Sequence, residues 1–125
     1  MLRTLNHALV IDQIWQAHLE GRPHGFKSRT TPDNPPLARM REEQAVLDSW
    51  YVNYSAGLDA ARYDEVVRFT FVGGGEGAMT RGEILLHVAN HKTHHRGNVA
   101  TMIYEAGGRP PTMDLPVFVR EVEPH

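Results

Sequence analysis

Apolar positions recur along this chain with helical spacing in three stretches and with strand-like character in one. Within residues 1 to about 20, Val10, Ile11, Ile14 and Trp15 share one helical stripe, and no Gly or Pro interrupts the stretch before Gly21. The pattern predicts a helix that the glycine ends. Residues 21–36, GRPHGFKSRTTPDNPP, hold four prolines and two glycines and read as a loop, which Pro36 closes by presetting the first turn of the next helix. From there Leu37, Met40, Gln44, Leu47, Tyr51, Tyr54 and Leu58 step alternately by three and four. That is the narrow seam of a bundle helix, weakened at its end by Gly57. VVRFTF followed by VGGGEGAMT sets β-branched and aromatic residues ahead of a glycine turn, the signature of a short hairpin. Thr80 and Glu83 form a capping box, so a third helix starts there and runs to Gly107 and Gly108. The tail, residues 109–125, is a proline-rich turn with one short helix near Asp114.

Composition narrows what such a helical chain does. Its 125 residues make one domain, residues 1–125, with a single core. No segment approaches the roughly 18 consecutive apolar residues of a membrane span, and the N-terminus has no long apolar run ahead of a small-residue cleavage site, so a cytoplasmic protein is expected. A formal net charge of -2 lacks the basic excess that phosphate neutralisation requires, which argues against nucleic acid as a partner. With no cysteine there is no thiolate nucleophile or ligand, and a metal site must use His, Asp or Glu.

The histidines are unevenly placed. HVANHKTHHRGN, residues 87–98, contains His87, His91, His94 and His95, four of the eight in the chain. On a helix, relative to His87, His91 lies at roughly 40°, His95 at roughly 80° and His94 at roughly -20°. The apolar stripe on the same wheel is centred on Ile84 and Met102 at roughly 60°, Val88 and Ala106 at roughly 100° and Val99 at roughly 120°. His91 and His95 therefore fall inside the stripe, and His87 and His94 on its edge. Two imidazoles at i, i+4 on one face have the geometry to share an ion. On the first helix His7 is centred among Val10, Ile11 and Ile14. His18 lies three turns further on, about 16 Å away along the axis, too far to join the same ion; it and His24 belong to the helix end and the loop.

A single histidine in an apolar stripe is more often a core residue bonded to a carbonyl than a ligand. Three of them reverse that preference, because three buried imidazoles without a shared ion need three separate sets of partners. For His87, His94 and His18 the ordinary structural role stays ahead. GGGEG lacks the spacing of a phosphate loop and reads as a turn. Trp15, Trp50, Tyr51 and Tyr54 read as core and pocket wall. Asp12 and Glu83 are candidates to polarise ligands from behind, although an exposed ion pair for the first and a helix cap for the second are the simpler readings.

LNHALVIDQIW, residues 5–15, and LLHVANHKTHHRGNVATMIYEAGGRPPTMDLPVFVRE, residues 85–121, resemble the two signature regions of the DinB-like (DinB/YfiT) metalloenzyme family. The resemblance implies an all-α, four-helix-bundle fold, commonly dimeric, that holds a divalent metal through one histidine of an early helix and an H-x-x-x-H pair of a later one. By position these are His7, His91 and His95, the three that the helical wheels select. His94 and Arg96 match the pattern as well, and with His87, Asp12 and Trp15 they are the candidates for the surroundings of the ion or the pocket. Such proteins carry a further long helix ahead of the first histidine, and here Met1 stands almost where the second helix begins. A bundle lacking its first helix, with a short hairpin or irregular insert before the last long helix, is the expected fold, and either the stated start is internal or a second subunit covers the open face.

A shell of three neutral imidazoles leaves a divalent ion its full charge and open coordination positions. Lys92 rather than Glu follows His91, so the general base of the H-E-x-x-H proteases is missing and peptide hydrolysis is disfavoured. The resemblance, in which some relatives are thiol-dependent transferases or isomerases, points to a metal-dependent enzyme of the thiol S-transferase or isomerase type. The alternative is a non-catalytic protein whose ion stabilises the bundle. Zinc or nickel is the expected metal, with iron or manganese also compatible with a His-only site. The expected partners are a second copy of the chain and a small-molecule substrate, such as a low-molecular-weight thiol of the glutathione or bacillithiol kind, with neither nucleic acid nor membrane.

Overall fold

Helix α1 in the computed structural model, which describes residues 1–122, spans Leu2–Glu20 and ends where Gly21 adopts φ 71°. The left-handed turn lets the N–H groups of Gly21 and Arg22 reach back to the carbonyls of His18 and Ala17, a termination that costs glycine little. After the proline-rich loop, α2 spans Leu37–Ala56 with Pro36 at its N-cap. A 3-10 turn over Ala60–Asp64 leads into β1, Val66–Thr70, and β2, Glu76–Thr80. The two strands pair antiparallel, with Phe69 opposite Gly77. Helix α3 spans Arg81–Glu105, opened by the expected capping box: Glu83 N–H donates to Thr80 Oγ1 and Thr80 N–H to Glu83 Oε1. A short helix, α4, covers Leu115–Val122, and the end of the expected tail lies outside the described residues.

Helix α1 is the centre of the molecule, packed against α2, α3 and β1. Its buried stripe of Val10, Ile11, Ile14, Trp15 and Leu19 meets Val67 and Phe69 of β1 and Ile84 and Val88 of α3. A smaller cluster joins Leu9 to Met40 and Leu47 of α2. The fold is thus a helical bundle of three long helices and one short one with a two-stranded sheet, not purely all-α. No helix among the described residues is long and apolar enough to cross a membrane.

Two expectations from periodicity need correction. On α2 only Met40 and Leu47 of the helical seam are buried, while Leu37 is exposed, because its side of α2 faces an open cleft. On α3 the apolar stripe is buried at Ile84 and Val88 and half-buried at Val99 and Met102, and just past the helix end Ala106 is exposed. The cause is length: α3 has 25 residues and α1 has 19, so α3 outruns its neighbour by about 9 Å at 1.5 Å per residue.

Candidate metal centre

Antiparallel packing of α1 and α3 brings His7 against His91 and His95. The i, i+4 spacing stacks the latter two on one face, with ring centroids 4.4 Å apart, and the His7 ring stands edge-on to both at 5.2 and 4.8 Å. One nitrogen from each of the three half-buried rings lies within 4.8 Å of the others. The Nε2 atoms of His91 and His95 are 3.1 Å apart. Two imidazoles sharing a tetrahedral ion at about 2.0–2.1 Å place their nitrogens about 3.3 Å apart, so the pair is spaced for one cation.

Protonation states agree with that use. His7 Nδ1 lies 3.0 Å from the carbonyl oxygen of Arg29. A carbonyl only accepts, so Nδ1 carries a proton, and in the neutral ring it is Nε2 that keeps the lone pair. Burial, reinforced by the imidazoles of His95, His7 and His87, pushes the pKa of His91 down to about 4. Burial and the neighbouring His7 and His94 rings lower that of His95 too. Asn98 Nδ2 lies 3.3 Å from His95 Nδ1 and donates to it. The His91 Nδ1 is buried without a hydrogen-bond partner. A donor set of three imidazoles, two of them converging nitrogen to nitrogen, fits a divalent metal.

The model of the DinB family matches residues 1–124. The chain belongs to the DinB family. Neither the curated proteins nor the solved structures contain a match to it.

The other candidates of this DinB protein divide by helix face. His87 is half-buried between Trp15 and His91, at ring distances of 5.4 and 5.8 Å. Trp15 belongs to the core rather than to a pocket wall, packed on His18, Phe69 and His87. His94 is exposed, with its ring 4.9 Å from that of His95. Arg96 is exposed and borders the cleft between the helices. His18 and His24 pair at the far end of α1, 5.5 Å between rings, and burial lowers the pKa of His18. Glu83 serves the helix cap.

Asp12 is corrected in two respects. Its side chain hydrogen-bonds to none of the three imidazoles, because on α1 it projects about 140° away from His7. Nor is its ion pair exposed: the Asp12 carboxyl, 1% accessible, meets Lys92 Nζ at 3.2 Å and accepts a hydrogen bond from Gln44 Nε2 at 3.0 Å. Lys92 also donates to Gln44 Oε1, and Gln44 donates to Asp48. Burial raises the Asp12 pKa, with the Lys92 charge opposing it. This network forms the floor of a cleft of about 840 Å³, walled by Leu5, Leu9, Met40 and Val88. Lys92, Gln44 and the Arg29 carbonyl escaped the sequence reading. The first two had a signal in their polar character beside apolar seam positions; the third, a backbone atom, had none.

Proposed function

We propose that this DinB protein is a metal-dependent enzyme of the thiol S-transferase or isomerase type, using His7, His91 and His95 as ligands. The observation that supports it most is the convergence of three imidazole nitrogens within 4.8 Å. When bound there, a divalent ion supplies an undiminished positive charge that favours the thiolate form of a low-molecular-weight thiol. Zinc or nickel suits the all-nitrogen set best, and iron or manganese is also compatible. The chain's own contribution is to orient the three rings and to disfavour protonation of His91 and His95. Burial keeps His91 and His95 unprotonated, and the Arg29 carbonyl aims Nε2 of His7 inward.

A second reading, a binding protein whose ion ties the bundle together, is favoured by the placement of the ligands on both sides of the α1 and α3 seam. Cobalt reconstitution separates the two. Titration with glutathione or bacillithiol is expected to produce a sulfur-to-cobalt charge-transfer band that His95→Ala lacks; a cobalt spectrum indifferent to every thiol, with no transfer to an electrophile, favours the second reading. The proposal includes a homodimer, supported by the cleft of about 840 Å³ with its apolar walls. Sedimentation of a compact monomer at micromolar concentration counts against that part.

A further inference from the structure

The loop between α1 and α2 is attached to α1 immediately beside His7. Asn6, 1% accessible, uses both ends of its amide on one residue: Nδ2 donates to Thr31 Oγ1 at 2.6 Å, and Oδ1 accepts from the Thr31 N–H at 3.0 Å. Thr31 Oγ1 donates onward to the Asp33 carbonyl at 2.6 Å. Arg3, one turn earlier on α1, donates to the Thr31 carbonyl at 2.7 Å and to Thr30 Oγ1 at 2.8 Å. Two residues before Thr31, the Arg29 carbonyl accepts from His7 Nδ1.

A solvent-exposed loop carbonyl is a poor orienting group unless something fixes the loop. Arg29 itself is exposed. The paired amide bonds of Asn6 supply the fixing, at the residue adjacent to His7 and on the buried side of the helix. Asparagine suits the position because a single planar group must donate and accept at once; aspartate lacks the donor and alanine lacks both.

We infer that Asn6 and Thr31 are positioning residues of the metal centre: they clamp the 29–33 loop so that the Arg29 carbonyl holds the proton on His7 Nδ1 and presents Nε2 as a ligand. The inference rests on the reading of His7 as a metal ligand. It extends the centre from three side chains to a loop segment that contributes a backbone acceptor. Outer partners that orient a metal-binding histidine typically change metal affinity by about 10- to 100-fold when removed.

The test uses Asn6→Ala, Thr31→Val and Thr31→Ser in the full chain, with two measurements on each. Long-range proton–nitrogen correlation spectra of the metal-free proteins, with the His7 signals assigned through His7→Gln, show which ring nitrogen carries the proton. Chelator competition gives the zinc affinity. In the parent chain and in Thr31→Ser, which keeps the hydroxyl, His7 is expected as the Nδ1–H tautomer with tight zinc binding. In Thr31→Val and Asn6→Ala the Nδ1–H preference is expected to decline and the zinc Kd to rise about 10- to 100-fold. Far-UV circular dichroism verifies that α1 is intact, and Thr31→Val, which alters only a loop side chain, carries the test if Asn6→Ala unfolds. Unchanged tautomer and affinity in Thr31→Val overturn the clamp. A tautomer that responds in proteins none of which binds zinc, the parent included, supports the clamp and overturns the ligand reading instead.

Discussion

Replacing Lys92 by Met leaves a buried carboxylate without its counter-charge while preserving most of the side-chain length. Asp12 is 1% accessible and Lys92 19%, so neither charge is screened as a surface pair is, and removing one partner of a buried pair costs about 3–5 kcal/mol. Protonation of Asp12 limits the loss. Its carboxyl pKa is already raised by burial, and the opposing influence of Lys92 disappears in the variant, so the pKa climbs further. The sign follows from proton counts: between the ordinary carboxylate value and the folded pKa, the folded state holds more protons than the unfolded state, and stability falls as pH rises through the folded pKa. Lys92→Met is therefore expected to lose about 3 kcal/mol near pH 7, and less near pH 4.5, toward which protonation of Asp12 increasingly relieves the buried charge. Urea denaturation of both proteins at the two pH values measures it, and Asp12→Asn on the Lys92→Met background is expected to restore part of the neutral-pH loss. A destabilisation under about 1 kcal/mol near pH 7, or one independent of pH, refutes the argument that Lys92 neutralises a buried Asp12 charge.

Zinc at about a thousand times its Kd is expected to stabilise the protein by about 4 kcal/mol, visible as a rise in Tm that a chelator reverses and that His91→Ala lacks. In the metal-free protein, the His91 pKa depressed to about 4 gives the unfolded state more protons from there up to the ordinary imidazole value. The corresponding stability is fully present above about pH 6.5 and is lost as pH falls toward 4, so urea midpoints of the parent are expected to decline over that window more steeply than those of His91→Gln. Gly77→Ala places a Cβ 2.7 Å from the Phe69 ring and 2.9 Å from that of Phe71. With Phe69 pinned on Trp15, thermal denaturation is expected to show a loss of about 1–3 kcal/mol.

Much of the fold was legible because its determinants are local. The stop at Gly21, the Pro36 start, the glycine turn of the hairpin and the Thr80 and Glu83 box each act within a few residues. So does the H-x-x-x-H pair, whose partners share a helix face by spacing alone. What depended on neighbours was less legible: Leu37 has the seam period but faces the cleft, and the second half of the α3 stripe extends past the start of α1. Periodicity shows which face is apolar, and the length of the opposing helix determines how much of it is covered.

The polar links between helices account for the remainder, and they matter because apolar contacts along the seam tolerate slippage. Sliding α3 by one turn, about 5.4 Å, would still set aliphatic side chains against α1, yet it would carry His91 and His95 away from His7. Two polar links oppose that slip. Arg81 at the start of α3 donates to the Leu19 carbonyl at the end of α1, at 3.0 Å. Lys92, next to His91, meets Asp12 in the middle of α1. Such links are directional and costly to leave unpaired when buried, so they select one register among several that burial alone accepts. In that register His7 of α1 faces the i, i+4 pair of α3. Asp12 thus helps to hold α3 where the three imidazoles converge, without touching any of them.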